Sequence, residues 1–92
     1  MEVQHADNGT KGKFFIEMEN RQVAEMAYVW AGDDRIIIEH TDVDDSLRGK
    51  GAGKDMLLKA VEFAREKKIS IIPLCRFAKS VFDKNQELRD VL

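Results

Sequence analysis

The chain has 92 residues, 43% hydrophobic and 35% charged, with a single cysteine. That length suits one compact domain, 1–92, near the size at which a single core becomes marginal. Fifteen basic against seventeen acidic residues give a net charge of −2, which lacks the single-sign field of a nonspecific nucleic-acid binder. One cysteine excludes an internal disulfide framework, and no apolar run approaches the roughly 18 residues of a membrane span.

Met1 to Gly12 reads as a flexible lead-in, and Met1 to Lys13 holds no apolar segment that could act as a secretory signal, so a cytoplasmic location is expected. Phe14, Ile16 and Met18 then alternate with more polar neighbours, the period of a half-buried strand. Glu19-Asn20-Arg21 is a hairpin turn candidate, followed by a strand over Val23 to Trp30 that puts Ala24, Met26, Tyr28 and Trp30 on one face. Gly32-Asp33-Asp34 breaks that strand and begins another, Arg35 to Val43, completing an expected antiparallel meander of three strands. From Gly53 the period changes, with Leu57, Ala60, Val61 and Ala64 at the spacing of one helical face. Ile69 to Leu74 reads as a buried strand, parallel to Arg35 to Val43 because a helix connects them. Pro73 suits its end, or a place where neighbouring strands part. Helical pieces over Ala78 to Lys84 and Gln86 to Val91 close the chain.

The joint between the third expected strand and the helix is the run Arg48-Gly49-Lys50-Gly51-Ala52-Gly53. Glycines there let the backbone turn tightly and expose its amides, so that several N–H groups converge on one anion where the helix begins. The run is neither of two better-known phosphate loops. A P-loop needs glycine where Arg48 stands and Ser or Thr where Asp55 stands, and the third glycine of a dinucleotide fingerprint falls on Lys54. By itself the run is equally a solvated turn.

The run resembles the Arg/Gln-x-x-Gly-x-Gly/Ala signature of the GNAT acyltransferase superfamily. Phe14 to Leu92 is similar to the central and C-terminal part of a GNAT domain, and most similar to a group of very small predicted N-acetyltransferases. The likeness is carried by His40-Thr41, Leu47 to Lys54, Ile71-Ile72-Pro73-Leu74-Cys75 and Phe77-Ala78-Lys79-Ser80-Val81-Phe82. It implies a truncated GNAT-like α/β (α+β) fold: the meander, a strand-helix-strand crossover and a C-terminal helix. It also implies acetyl-CoA as co-substrate. Thr41 to Val43 would end a strand that splays from its neighbour, with Thr41 and Val43 offering backbone groups to the pantetheine arm. The amides of Arg48, Gly49, Lys50, Gly51, Ala52 and Gly53 would face the pyrophosphate, with charge added by Lys50 and Lys54.

Three departures from the family pattern matter. The strand and helices that precede the sheet in a full-length GNAT enzyme are missing, which implies an open acceptor site for an amine on a larger molecule, or one completed by a second subunit. The Asn-x-x-Ala-x-x-x-Tyr pattern of the last helix is met by Cys75, Ala78 and Phe82, and phenylalanine has no hydroxyl to protonate a leaving thiolate. Where the small group commonly has proline after the cysteine, this chain has Arg76, which either faces solvent or favours a neighbouring thiolate.

The residues leave two catalytic candidates. Cys75 is either a small core residue or a thiol that accepts the acetyl group or gives its proton to the departing sulfur. His40, expected to share a face with Ile36 and Ile38, is either a satisfied core imidazole or the general base, with Glu39 as rival. Only His5 and His40 accompany the cysteine, without metal-ligand spacing, so no metal is expected. The reading is an N-acetyltransferase using acetyl-CoA on an amine acceptor. The alternative is an acyl-CoA-binding module without turnover, and a weaker third is a protein-interaction domain. Acceptor and oligomeric state stay open.

Overall fold

Four strands run antiparallel in chain order and a fifth joins them in parallel, giving one sheet ordered β1-β2-β3-β4-β5 in the computed structural model, which describes residues 1–92. The strands are β1 (Gln4–Asp7), β2 (Lys11–Met18), β3 (Arg21–Trp30), β4 (Arg35–Val43) and β5 (Ser70–Pro73). Helix α1 (Ala52–Lys67) crosses from β4 to β5, α2 (Arg76–Lys84) follows β5, and short 3₁₀ turns occupy Asp45–Leu47 and Gln86–Val91.

Between Met18 and Arg21 the two connecting residues, Glu19 and Asn20, both take left-handed backbone angles, φ 52° and 63°. That is the two-residue hairpin whose twist matches the flanking strands. Helix α1 ends on Lys68 at φ 57°, and Ile69 N–H reaches back to the Ala64 carbonyl at 3.0 Å, so the chain turns directly into β5.

A strand occupies Gln4–Asp7 where the sequence reading places a flexible lead-in, and the meander therefore has an additional member. Its anchor is chemical. Asn8 Oδ1 accepts from Thr10 and Lys11 N–H, both at 2.9 Å, and Asp7 Oδ1 accepts from Gly9 N–H at 2.7 Å. These bonds close a tight turn, and the His5 ring stacks on Phe14 at 4.2 Å. Asp7 also accepts from the Tyr28 hydroxyl and, at 2.7 Å, from Trp30 Nε1. Burial opposes charge on Asp7, but the bonds from Tyr28, Gly9 and Trp30 outweigh it and hold the carboxyl below its ordinary range. The Asp7-Asn8-Gly9 triplet is the hairpin signal that the reading passed over. The strand counted as missing from the family pattern is present, and only a turn, with no helix, separates it from β2.

One core of 21 buried residues lies on a single face of the sheet. Phe14, Ile16, Ala24, Met26, Tyr28, Ile36 and Ile38 from the strands meet Met56, Leu57, Ala60, Val61 and Ala64 of α1 and Ala78, Val81 and Phe82 of α2. The alternate strand residues, including Lys13, Phe15, Glu25, Ala27, Val29 and Ile37, stay half-buried on the other face. Packing both helices on one side leaves that second face open beside the place where β4 and β5 part.

Candidate functional site

The β4–β5 ladder pairs Arg35 with Ser70 through Ile38 with Pro73 and then stops, although β4 runs on to Val43. Leu74 and Cys75 N–H both turn onto the Ile38 carbonyl, at 3.1 and 3.2 Å, and lead the chain away into α2. Pro73 is the last residue of β5; Ser70 and Leu74 N–H face β4, so the N–H that proline lacks falls on the free outer edge of the sheet.

Against β3, the register of β4 shifts: Tyr28 faces Ile38 whereas Ala27 faces His40, so Glu39 is an extra residue, a β-bulge. The bulge reverses the alternation beyond it. Asp44 N–H bonds the Val23 carbonyl at 2.8 Å, so the backbone groups of His40 and Asp42, two and four residues earlier, also face β3. Those of Thr41 and Val43 consequently face the edge that β5 has left, where the sequence reading places them.

The same bulge moves His40. It does not share the core face with Ile36 and Ile38; its side chain is 52% exposed on the open face, and the core-facing expectation is overturned. Strict period-two counting fails here because one inserted residue inverts every later side chain. His40 Nε2 donates to Glu25 Oε2 at 3.1 Å and lies 3.7 Å from Asp42 Oδ2. The bond from His40 is the main cause of a Glu25 carboxyl held below its ordinary range, with Gln22 and Lys13 assisting against burial. Side-chain atoms of Glu25, His40 and Asp42 lie within 4.8 Å of one another, which the contacts of the imidazole with the two carboxylates account for by themselves. A groove of about 530 Å³ runs beside them, floored by Ala6, Gly12 and Ala27 and edged by Lys13, Glu25, Glu39 and His40.

Thr41, next in the strand, points the opposite way, and its Oγ1 is 3.2 Å from Cys75 Sγ. Cys75 is half-buried at the N-cap of α2, touching both the core and the gap between the parting strands. Cys75 and His40 are thus not a contacting pair; they flank β4 from opposite faces. Arg76 is exposed, the solvent-facing alternative of the sequence reading.

Around the glycine run, Gly49 and Gly51 both have φ 77°, a conformation that costs other residues about 1–2 kcal/mol. Gly53 is different: a Cβ there would lie 2.6 Å from the Phe77 ring, so it is glycine because α2 packs against α1 at that point. Lys50 N–H bonds Leu47 and Asp55 N–H bonds Gly51, but the N–H groups of Gly49, Gly51, Ala52, Gly53 and Lys54 donate to no protein acceptor. Ala52 is only 2% exposed, so part of this array of donors is sheltered. Lys50 and Lys54 are exposed, while Arg48 spends its guanidinium on Asp45 at 2.9 Å. Phe82, at the family's tyrosine position, is 1% exposed and packed in the core.

Comparison with known proteins gives a consistent result. The sequence model described as GCN5-related N-acetyl-transferase matches residues 13–91. The solution structure of a GCN5-like proposed N-acetyltransferase from Staphylococcus aureus is 40% identical, with 98% of this chain and 85% of that one covered and a TM-score of 0.76. A ribosomal-protein-alanine N-acetyltransferase from Brucella melitensis biovar Abortus 2308 shares the fold at 13% identity and a TM-score of 0.67, over 84% of this chain and 62% of that one. An aminoglycoside acetyltransferase from an uncultured soil metagenomic sample, solved with sisomicin, does so at 16% and 0.62, over 89% and 59%. No curated protein matches the sequence.

Proposed function

This chain belongs to the GCN5-related N-acetyltransferase family, and from that premise we propose that it transfers the acetyl group of acetyl-CoA to an amine. The observation that carries the donor half is the set of unpaired N–H groups at Gly49, Gly51, Ala52, Gly53 and Lys54, beside a strand edge bared by the parting of β4 and β5. A helix N-terminus favours an anion by about 0.3–1 kcal/mol, and by up to about 2 when partly buried. The pyrophosphate of acetyl-CoA lies at those amides, and its pantetheine amides pair with the backbone of Thr41 and Val43. The thioester then reaches the gap between Thr41 and Cys75.

On the open face, His40 takes a proton from the acceptor ammonium, and the freed amine attacks the acetyl carbonyl carbon through its lone pair. The C–S bond breaks, the amine loses its second proton to solvent, and the CoA thiolate takes a proton from the Cys75 thiol, which solvent restores. The groove has no helix over it, which suits an amine carried on a larger molecule. No helix is long and apolar enough to cross a membrane, and a cytoplasmic location fits a protein that draws on acetyl-CoA.

A second reading, acyl-CoA binding without turnover, is favoured by Phe82, which supplies no hydroxyl to the leaving sulfur. Calorimetry comparing acetyl-CoA with acetyl-pantetheine tests the donor site, since equal affinities would remove the pyrophosphate from it. Mass spectrometry of the protein incubated with acetyl-CoA, alone and with a panel of amines, then separates turnover from binding alone.

A further inference from the structure

The side chain that completes the open face is one that the sequence does not single out. Glu25 sits on β3, where the shifted register brings it within 3.1 Å of His40 Nε2 through Oε2. Its other oxygen is held separately: Gln22 Nε2 donates to Oε1 at 3.3 Å, and Lys13 Nζ stands 3.8 Å from it. Lys13 in turn donates to Gln22 Oε1 at 2.6 Å, so two linked side chains hold the carboxylate on the side away from His40. The carboxylate is half-buried, 24% exposed, whereas the imidazole it holds is 52% exposed. An anchored acceptor facing an exposed ring is the arrangement that selects a tautomer.

We propose that Glu25 is the positioning residue of the acetyl-transfer step, holding His40 as the Nε2–H tautomer so that Nδ1 is the atom that receives the acceptor's proton. The proposal rests on the acetyl-transfer reading above. An ionised carboxylate accepts but does not donate, so the proton on Nε2 is required for the bond, and the lone pair is left on Nδ1. Nδ1 has no hydrogen-bond partner in the protein. When Nδ1 takes a proton, the imidazolium faces Glu25 from β3 and Asp42 from its own strand at 3.7 Å, with Asp7, Glu39, Lys11 and Lys13 also lining the groove.

The test uses the full chain labelled with ¹⁵N. Long-range ¹H–¹⁵N spectra of the parent at neutral pH should show His40 in one tautomer, with Nε2 protonated. Glu25→Ala should leave the amide fingerprint of the fold in place and turn His40 into a mixture of tautomers. Under saturating acetyl-CoA it should lower kcat about tenfold or more, a fraction of the about 10²–10⁴-fold that a general base contributes, and leave the acetyl-CoA KM unchanged. Glu25→Gln keeps a carbonyl acceptor without the charge, and should restore the single tautomer and most of kcat. A single Nε2–H tautomer in Glu25→Ala overturns the proposal, as does loss of the tautomer with kcat unchanged. Failure of the acetyl-transfer reading looks different: the parent then binds acetyl-CoA and acetylates no amine, whatever the state of His40.

Discussion

The two faces of β4 are built on different terms. Towards the helices, the side proposed for the donor is made of main chain: a strand edge at Thr41 and Val43, a turn with positive φ at Gly49 and Gly51, and the first amides of α1. Towards the open face, the side proposed for the acceptor is made of side chains, Glu25, His40, Asp42 and Glu39, that different strands bring together. Main-chain sites tolerate most substitutions and fail only where backbone geometry or close packing is disturbed. Side-chain sites fail one residue at a time.

The hardest blow to the donor side is Gly51→Glu. Gly51 has open space around its Cβ position, so the fold should persist, but φ 77° is strained for glutamate and its charge opposes the pyrophosphate. Acetyl-CoA affinity is expected to fall at least about a hundredfold, or about 2.7 kcal/mol. Calorimetry with circular dichroism as the fold check decides it; unchanged affinity would move the cofactor elsewhere.

Gly53→Ala sharpens the comparison because it separates packing from binding within one loop. The added methyl meets the Phe77 ring, and overpacking of this kind costs about 1–3 kcal/mol. Urea unfolding should show that loss, and Phe77→Leu in the same chain should recover most of it. If Gly53→Ala is as stable as the parent, the close approach of α2 to α1 is not a constraint.

Cys75→Ala asks whether the thiol belongs to the donor side's chemistry or only to its packing. As proton donor to the leaving sulfur, its loss should slow acetyl transfer about tenfold, equivalent to about 1.4 kcal/mol, with cofactor binding retained. Equal rates in parent and variant would leave Cys75 as the small, half-buried neighbour of Thr41 that it also is.

The smallest effect concerns the strand that borders the groove. Burial holds His5 below its ordinary value of 6.5 against the pull of Asp7, so the folded state prefers it neutral. Its contribution is complete above pH 6.5 and is lost as pH falls through the lower folded value. Thermal melting should therefore weaken on going from pH 7 to pH 5, and His5→Gln should flatten that dependence. The carboxylates Asp7 and Glu25, both held low, act only in more acid solution.

Most of the donor side was legible in the residues. Glycines at 49 and 51 before a period-3.6 segment announce a turn into a helix, and Pro73 suits the end of the strand that follows it. Strand β4 was placed at Arg35 to Val43 from its breaker and its alternation. Gly53 was read as part of the same loop, yet its reason is the ring of Phe77, a contact between helices that no local pattern contains. The first strand was missed although Asp7-Asn8-Gly9 signals its turn, because Gln4 to Asp7 has no apolar alternation and is held by pairing with β2 and by bonds from Tyr28 and Trp30.

What the sequence determined by itself is what local physics encodes: the hairpin at Glu19-Asn20, the helix over the periodic segment, and the amides exposed where glycine lets the chain turn. Tertiary structure alone decided the face of His40. One extra residue at Glu39 inverts the strand beyond it, and the bulge exists only in the register between β3 and β4. Glu25 finds His40 through that register, fifteen residues away along the chain. Pairing between strands is a property of two segments at once, and a pattern read along either one cannot show where they meet.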